Sequence, residues 1–369
     1  MSARSMGSTP VHLVTGIDPE AMAATTIGLQ WDLPEAVVVQ HRIDADRQQL
    51  VRVVSDVTGR LEEEVVDLEH ACVSCAIRED MVPTLDRLGQ IGRWSGIVAH
   101  LAAGAEASQV CRVTAMSSAP QQRAFHVASV VAAFEGERLG DVLLGDDLLE
   151  EAGVPTLPGD DRGLAEVAVP ILEYADLVVV RGRRDPVGHD AVRALARPGA
   201  LVLRDGSEID ARILQQGLHH HGATESWVSE VRRGVVPTPQ TDQVWTLDLT
   251  ADRPLHPQRL EERFEDLGVG SHRARGCLWV ATRPADVIGW DGAGGQHRLG
   301  PVAAWGAGGS GPLSRVVVTG RHDDDRRAAV RDAFHDCLLT DAELRSRGPR
   351  WEEHQDGLEP WLGPIRSVA

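Results

Sequence analysis

The sequence predicts a doubly wound, mostly parallel α/β sheet followed by a smaller α+β domain, and three observations lead there. Short apolar strand-like runs alternate with helical patterns through about residue 220, an order that implies parallel strands joined by crossover helices. The alternation then breaks at a polar stretch containing Pro237-Thr238-Pro239-Gln240, beyond which strands cluster with fewer helices. A chain of 369 residues also exceeds what one hydrophobic core usually organises, so two domains are expected.

The elements follow in order. Val11–Gly16 reads as a buried strand ending in a turn, and the alanine-rich stretch Glu20–Leu29 as the helix after it. Further strands are predicted at Ala36–Gln40, Ile97–Leu101, Phe125–Ala132, Leu177–Val180 and Ala200–Leu203. Helical patterns cover Asp46–Arg60, Ala76–Leu88, Gly163–Tyr174, Asp190–Ala196 and Ile209–Gly217. Gly222–Gln243 reads as an interdomain linker. Beyond it lie strands at Val244–Thr250, Arg273–Ala281, Asp286–Trp290 and Arg315–Thr319, with helices at Pro257–Leu267 and Asp323–Cys337. Trp245, Trp279, Trp290, Trp305, Trp351 and Trp361 fall in this second part, most of them as core or cover.

Composition narrows the function classes. The net charge of -18 arises from 55 acidic and 37 basic side chains, and every basic one is arginine, because the chain has no lysine. Such an excess repels a phosphate backbone, which argues against direct nucleic-acid binding and favours a basic protein partner. No apolar run reaches the ~18 residues that would suggest a membrane span. The first ten residues lack the apolar centre of a signal peptide, and the five cysteines suit a reducing compartment, so a cytoplasmic location is expected.

A strand that ends in glycine and runs into a helix is where a phosphate-binding loop, G-x-x-x-x-G-K-[ST], would sit. In this segment only Gly16 matches. Ala21 stands for the second glycine, Met22 for the lysine and Ala23 for the magnesium-binding hydroxyl, and Thr25 cannot replace the missing charge. Asp18 and Glu20 add negative charge where an anion would go. The base-recognition element is lost in the same way: Arg181-Gly182-Arg183-Arg184-Asp185 follows the strand Leu177–Val180 where Asn-Lys-x-Asp would be needed, and the chain has no asparagine. Neither bound GTP and magnesium nor a catalytic residue is expected. One reading left open is that Arg181, Arg183 and Arg184 contact phosphates in an altered pose.

Cys72-Val73-Ser74-Cys75 has the spacing at which two thiolates share one soft metal ion, or form a redox pair at a helix N-terminus. His41, Glu69 and His70 are the nearest candidate partners. Ala71–Met81 is similar to the Gly-Cys-x-Cys-Cys and Thr-Leu-Arg-x-Asp-Leu segments of the CobW-type metal-linked GTPases, with Ser74 in place of the middle cysteine. Ile97–Leu101 resembles that family's metal-binding strand, with His100 in place of the acid. Arg253–Leu260 resembles its Arg-Pro-Phe-His-Pro-Gln-Arg-Leu, Arg275–Pro284 its Gly-x-x-Trp-Leu-Ala-Thr-Arg-Pro, and Cys337–Leu344 its closing helix.

The resemblance runs from about Val11 to Trp361. It implies a degenerate P-loop GTPase-like domain over residues 10–221, a linker over 222–243 and a CobW C-terminal-like domain over 244–364. It implies zinc as the metal, held by Cys72 and Cys75 with His70 or His41. The pattern is most similar to an actinobacterial branch that recruits a ribosome hibernation factor in zinc limitation. That likeness implies the hibernation factor or the ribosome as partner. The alternative is a zinc metallochaperone using the C-x-x-C site, with or without residual GTP binding.

The remaining candidates have plainer readings. His219-His220-His221 reads as a solvated loop, because three adjacent imidazoles cannot face one point. His256 precedes Pro257 at a helix start, and Cys277 and Cys337 read as core.

Overall fold

The computed structural model describes residues 8–44, 46–67, 77–116, 123–154, 159–210, 213–214, 217–236, 238, 241–306 and 311–365. The first domain contains β1 (Thr9–Gly16), α1 (Pro19–Asp32), β2 (Ala36–Asp44), β3 (Gln49–Asp56), β4 (Gly59–Asp67), α2 (Val82–Ile91), β5 (Gly96–His100) and α3 (Ala107–Ala115). It continues with β6 (Phe125–Glu135), α4 (Leu139–Leu144), α5 (Leu164–Tyr174), β7 (Leu177–Arg181), α6 (Pro186–Leu195) and β8 (Leu201–Leu203). Its eight strands lie in the order β4-β3-β2-β5-β1-β6-β7-β8. The six from β2 to β8 are parallel, and β3 and β4 extend the sheet antiparallel at one edge.

The period of two along each strand splits the core between the faces of the sheet. Val11, Leu13, Val37, Val39, Ile97 and Ala99 pack toward Leu85 and Leu88 of α2 and Val110 of α3. Their neighbours Val14, Val38 and Val98 pack toward Ala21, Met22 and Leu29 of α1. Burial on both faces is what makes the central strands read as continuous apolar runs.

The first strands and helices follow the sequence prediction except at one edge. Asp46–Arg60, expected as a helix, is instead β3, a tight turn and the start of β4. Pairing decides it: β3 lies between β2 and β4, so its backbone is satisfied on both sides. The helix expected at Ile209–Gly217 lies partly outside the described residues, and a 3-10 turn, Gly206–Glu208, precedes it. Part of the expected linker is helical: α7 (His221–Val228) packs against α5.

The second domain is a five-stranded antiparallel sheet of β9 (Val244–Ala251), β10 (His272–Leu278), β11 (Asp286–Ala293), β12 (Gln296–Ala304) and β13 (Ser314–Arg321), in the order β12-β11-β10-β13-β9. The strand β12 was not anticipated; the Gly294-Gly295 turn folds it back on β11. The helices are α8 (Pro257–Glu262), α9 (Phe264–Gly268), α10 (Arg327–Cys337), α11 (Asp341–Arg347) and α12 (Glu359–Leu362). Cys277, Cys337 and Trp290 are buried as expected, whereas Trp361 is 43% exposed and stacks on Phe264.

Ion pairs tie the domains together, among them Arg298 of β12 with Glu166 of α5 at 3.3 Å and two further groups. Glu173 of α5 is buried and accepts from Arg273 at 3.1 Å and from Arg275 at 2.6 Å, both on β10. Burial pushes the Glu173 carboxyl up, but the two guanidinium groups outweigh it and hold it below the usual carboxylate range. Nearby, burial and then the charge of Arg275 depress Arg232 to about 10. On another part of the interface Arg321 of β13 donates to Asp141 of α4 at 2.7 Å. Among the described residues no helix is long and apolar enough to cross a membrane.

Candidate functional site

The strand β1 ends at Gly16 and the chain enters α1 through Asp18, which caps the helix. The Oδ1 atom of Asp18 accepts from the amides of Glu20 and Ala21, each at 2.8 Å. These are the orphan donors with which a helix N-terminus would otherwise hold an anion, and the chain's own carboxylate occupies them. Met22 is fully buried and lies against the strand end. A Cβ at Gly16 would sit 2.9 Å from Met22 Cγ and 2.5 Å from the carbonyl oxygen of Ala133. An apolar thioether suits that position, and an ammonium would lose its hydration there. Ala23 is half-buried, and Thr25 is buried with its hydroxyl unpartnered among the described residues.

The surroundings of this loop are acidic. Glu135, at the end of β6, has its carboxyl raised, first by burial and further by Asp18, Glu20 and Glu137, with Arg181 opposing. Arg181 donates to Glu135 at 3.0 Å and to the carbonyl of Glu20 at 3.3 Å. The structure thus brings Gly16, Ala21, Met22, Ala23, Thr25 and Arg181 together at the start of α1. Arg184 stands apart and donates to Nδ1 of His189 on α6 at 2.8 Å. Asp185 is structural as well: it caps α6 through the Val187 amide at 3.1 Å and takes the Gly140 amide at 2.6 Å.

His100 ends β5, at the place the resemblance gives to an acidic metal-binding residue. Its Nδ1 lies 2.8 Å from Oγ1 of Thr26, whose hydroxyl is also 2.9 Å from the carbonyl of Met22. Burial, then the charge of His41, lowers the His100 pKa to about 4, so the ring is neutral at neutral pH. A neutral imidazole fastened to α1 does not replace a carboxylate that holds magnesium.

The second candidate centre lies at the β2–β3 edge. His41 is 1% exposed, and its Nε2 lies 2.7 Å from Oδ2 of Asp80, just before α2. Arg52 of β3 holds the other oxygen of Asp80 and also pairs with Glu64 of β4. Burial alone would raise the Asp80 carboxyl; the hydrogen bond from His41 and the charges of His41 and Arg52 leave it below the usual range. The other ring nitrogen, Nδ1 of His41, is buried and has no partner among the described residues. Cys72, Cys75 and His70 lie outside the described residues, and Asp80 follows Cys75 by five positions in the sequence. Among the described residues no group of three or more His, Cys, Asp or Glu side chains is placed to hold a metal ion.

The histidine run differs from its expected solvated loop. The His219 side chain is only 4% exposed and its Nδ1 meets the fully buried Asp176 at 3.1 Å, while His221 starts α7 and lies 3.3 Å from the Tyr174 hydroxyl. Sequence reasoning named His41 but missed Asp80, Arg52 and Glu135. Only the last two residues of the Arg78-Glu79-Asp80 motif hinted at an acidic partner, and nothing local links position 41 to position 80. As expected, His256 precedes Pro257 at the start of α8; it occupies the cap position with no side-chain capping bond.

Comparison with known proteins adds the following. Residues 244–338 match the cobalamin synthesis protein cobW C-terminal domain, as the sequence motifs there implied. The chain is similar to a protein named zinc chaperone Rv0106 from Mycobacterium tuberculosis, 28% identical over 393 aligned positions covering 96% of this chain and 93% of that one. It is similar to zinc-regulated GTPase metalloprotein activator 1 of Dictyostelium discoideum, 19% identical over 350 positions covering 84% and 72%. Among solved structures, Zn(II)-bound YjiA GTPase from E. coli aligns over 90% of this chain and 100% of its own at 15% identity, with a TM-score of 0.37.

Proposed function

We propose that this chain, a GTPase-like α/β domain joined to a CobW-type C-terminal domain, is a zinc metallochaperone that does not depend on GTP hydrolysis. Cys72 and Cys75 supply the thiolates, and His41 supplies a third ligand through Nδ1. The observation that carries the reading is the orientation of His41. A histidine that binds metal usually donates its other ring nitrogen to a carboxylate, which fixes the tautomer and leaves a lone pair free. His41 is placed for this arrangement: Nε2 lies 2.7 Å from Asp80, and Nδ1 is buried with no partner among the described residues. Asp80 is five positions from Cys75 in the sequence. A set of two thiolates and one imidazole suits zinc and leaves a position open for transfer to a client. The names of the two relatives, a zinc chaperone and a zinc-regulated activator, support the metal assignment.

The loop at α1 supports the absence of hydrolysis. Asp18 fills the amides, Met22 fills the lysine position, and Asp18, Glu20 and Glu135 surround the place with negative charge. The test is zinc titration in competition with a chromogenic chelator. Stoichiometric zinc held tighter than about micromolar is expected for the wild type, lost in Cys72→Ser/Cys75→Ser and weakened in His41→Ala. Wild-type affinity at or weaker than micromolar would remove the proposal.

A narrower role, recruiting a ribosome hibernation factor when zinc is scarce, draws support from the sequence resemblance and from the net charge of -18, which suits a basic partner. Pull-down from zinc-replete and zinc-starved cells separates it from cargo delivery: ribosomal material should co-purify only under starvation.

A further inference from the structure

We propose that the cleft between the two domains at Arg183 and Arg184 binds the phosphate group of a small phosphorylated ligand. The cleft measures about 310 Å3 and opens at the carboxyl ends of β6 and β7, where ligands of doubly wound folds bind. Its lining includes Glu137, Arg138, Asp141, Arg183, Arg184 and Asp185 from the first domain, and Arg321 at the end of β13 closes it from the second.

The acids of this lining are largely committed. Both oxygens of Asp185 accept backbone amides, from Val187 at 3.1 Å and Gly140 at 2.6 Å. Asp141 takes Arg321 at 2.7 Å and Arg138 at 3.3 Å. Glu137 is exposed at the rim. The cations are less committed. Among the described residues no hydrogen bond or ion pair involves the Arg183 guanidinium, and that of Arg184 meets only Nδ1 of His189, which also lies 3.5 Å from Asp190. Arg138 reaches Asp141 and Asp147 only at 3.3 Å, with 69% of its side chain exposed. In a chain with an acidic excess of 18 charges, an arginine pair beside a cleft that bonds to no carboxylate among the described residues is placed to receive an anion from solution.

The frame is rigid. A Cβ on Gly188 would come within 2.4 Å of Leu139 Cβ, so α4 and α6 touch through the backbone and fix the spacing of their first residues. Arg138, at the start of α4, sits at a φ of 59°, a conformation that costs a non-glycine residue about 1 kcal/mol or more and concentrates at ligand clamps. Two guanidinium forks match the three oxygens of a phosphate dianion better than a single carboxylate. The volume admits phosphate with a sugar-sized group, near the lower end for ligand clefts. The site is distinct from the Asp18 loop, which Arg181 faces from the other side.

Calorimetry on the full chain, in chloride buffer at fixed ionic strength, tests this with inorganic phosphate and ribose 5-phosphate as probes and ribose as control. Both phosphate probes should give heat and raise the melting temperature, and ribose should do neither. Arg183→Ala and Arg184→Ala should each weaken binding by about 10-fold, while Arg204→Ala, an exposed arginine elsewhere, should leave it unchanged. No heat from either phosphate probe at ~10 mM, in the weak range for a specific site, would overturn the proposal. So would equal affinity in the Arg183→Ala/Arg184→Ala double variant, or a response to ribose equal to that of ribose 5-phosphate.

Discussion

Glu173 Oε2 on α5 lies 2.6 Å from Arg275 Nη1 on β10, inside the interface between the two domains. Arg273 completes the group from the same strand and also pairs with Asp291 of β11, so Glu173 is the carboxylate that the first domain contributes to it. Neutralising that carboxylate leaves the buried Arg275 without the carboxylate it bonds and Arg273 with Asp291 alone. Glu173→Gln should lower stability by about 3–5 kcal/mol in chemical denaturation; a loss under about 1 kcal/mol would mean the pair is not the tie described. Because the Glu173 carboxyl is held below its ordinary 4.5, its contribution is present above that pH and is lost as the pH falls further through the folded value.

Restoring the lysine of a phosphate loop should not restore nucleotide binding. Met22→Lys puts an ammonium where the side chain is fully buried against Gly16, so a stability loss of about 2–4 kcal/mol is expected. Asp18 would still occupy the Glu20 and Ala21 amides. Calorimetry with GTP and magnesium should give no heat for either the wild type or the variant. A binding isotherm from the variant would show that the missing lysine alone had silenced the loop.

Asp80 positions His41, and its removal should be felt in metal affinity. Asp80→Asn keeps the shape but weakens the acceptor for Nε2, and a drop of about 10–100-fold in zinc affinity follows from the usual effect of such partners. The readout is chelator competition, compared with the melting curve of the metal-free variant. If the melting temperature falls and the zinc affinity does not, Asp80 serves only the fold.

Three buried histidines give the protein a pH profile: His100, described above, and two more. Burial lowers His12 to about 4, with a contribution from His126. His272 is also lowered to about 4 by burial, which outweighs a backbone hydrogen bond at Leu267. The unfolded chain binds these protons from about pH 6.5 downward and the folded chain only near 4. Stability should therefore fall between those values, by up to ~1.4 kcal/mol per pH unit for each histidine. Thermal melts from pH 7 to 4 check the slope. His12→Gln should flatten it; an unchanged slope would place the titration elsewhere.

Much of the first domain could be read from strings such as Val37-Val38-Val39 and Ile97-Val98-Ala99, because parallel strands buried on both faces leave continuous apolar runs. The edge was harder. Gln49–Asp56 places Arg52 between Leu50 and Val54, and its charge is tolerable only because Asp80 and Glu64 meet it from other elements. Without those partners the segment reads as an amphipathic helix. The same limit applies to the candidate sites. Gly16, Met22 and the cysteine pair are local patterns, whereas His41 with Asp80 and His219 with Asp176 depend on contacts 39 and 43 positions apart. His219 looked solvated because its neighbours are histidines; a buried aspartate beneath it decides otherwise.

The cap made by Asp18 has a consequence for how the protein responds to its surroundings. A helix start that supplies its own anion gains no stability from a phosphate in solution, so this part of the fold is complete at any nucleotide level. A turnover enzyme measures time by the life of its bound nucleotide. On the metallochaperone proposal, a loop already closed in this way carries no such timer, and the state of the protein would follow the amount of zinc present and reverse when that amount falls.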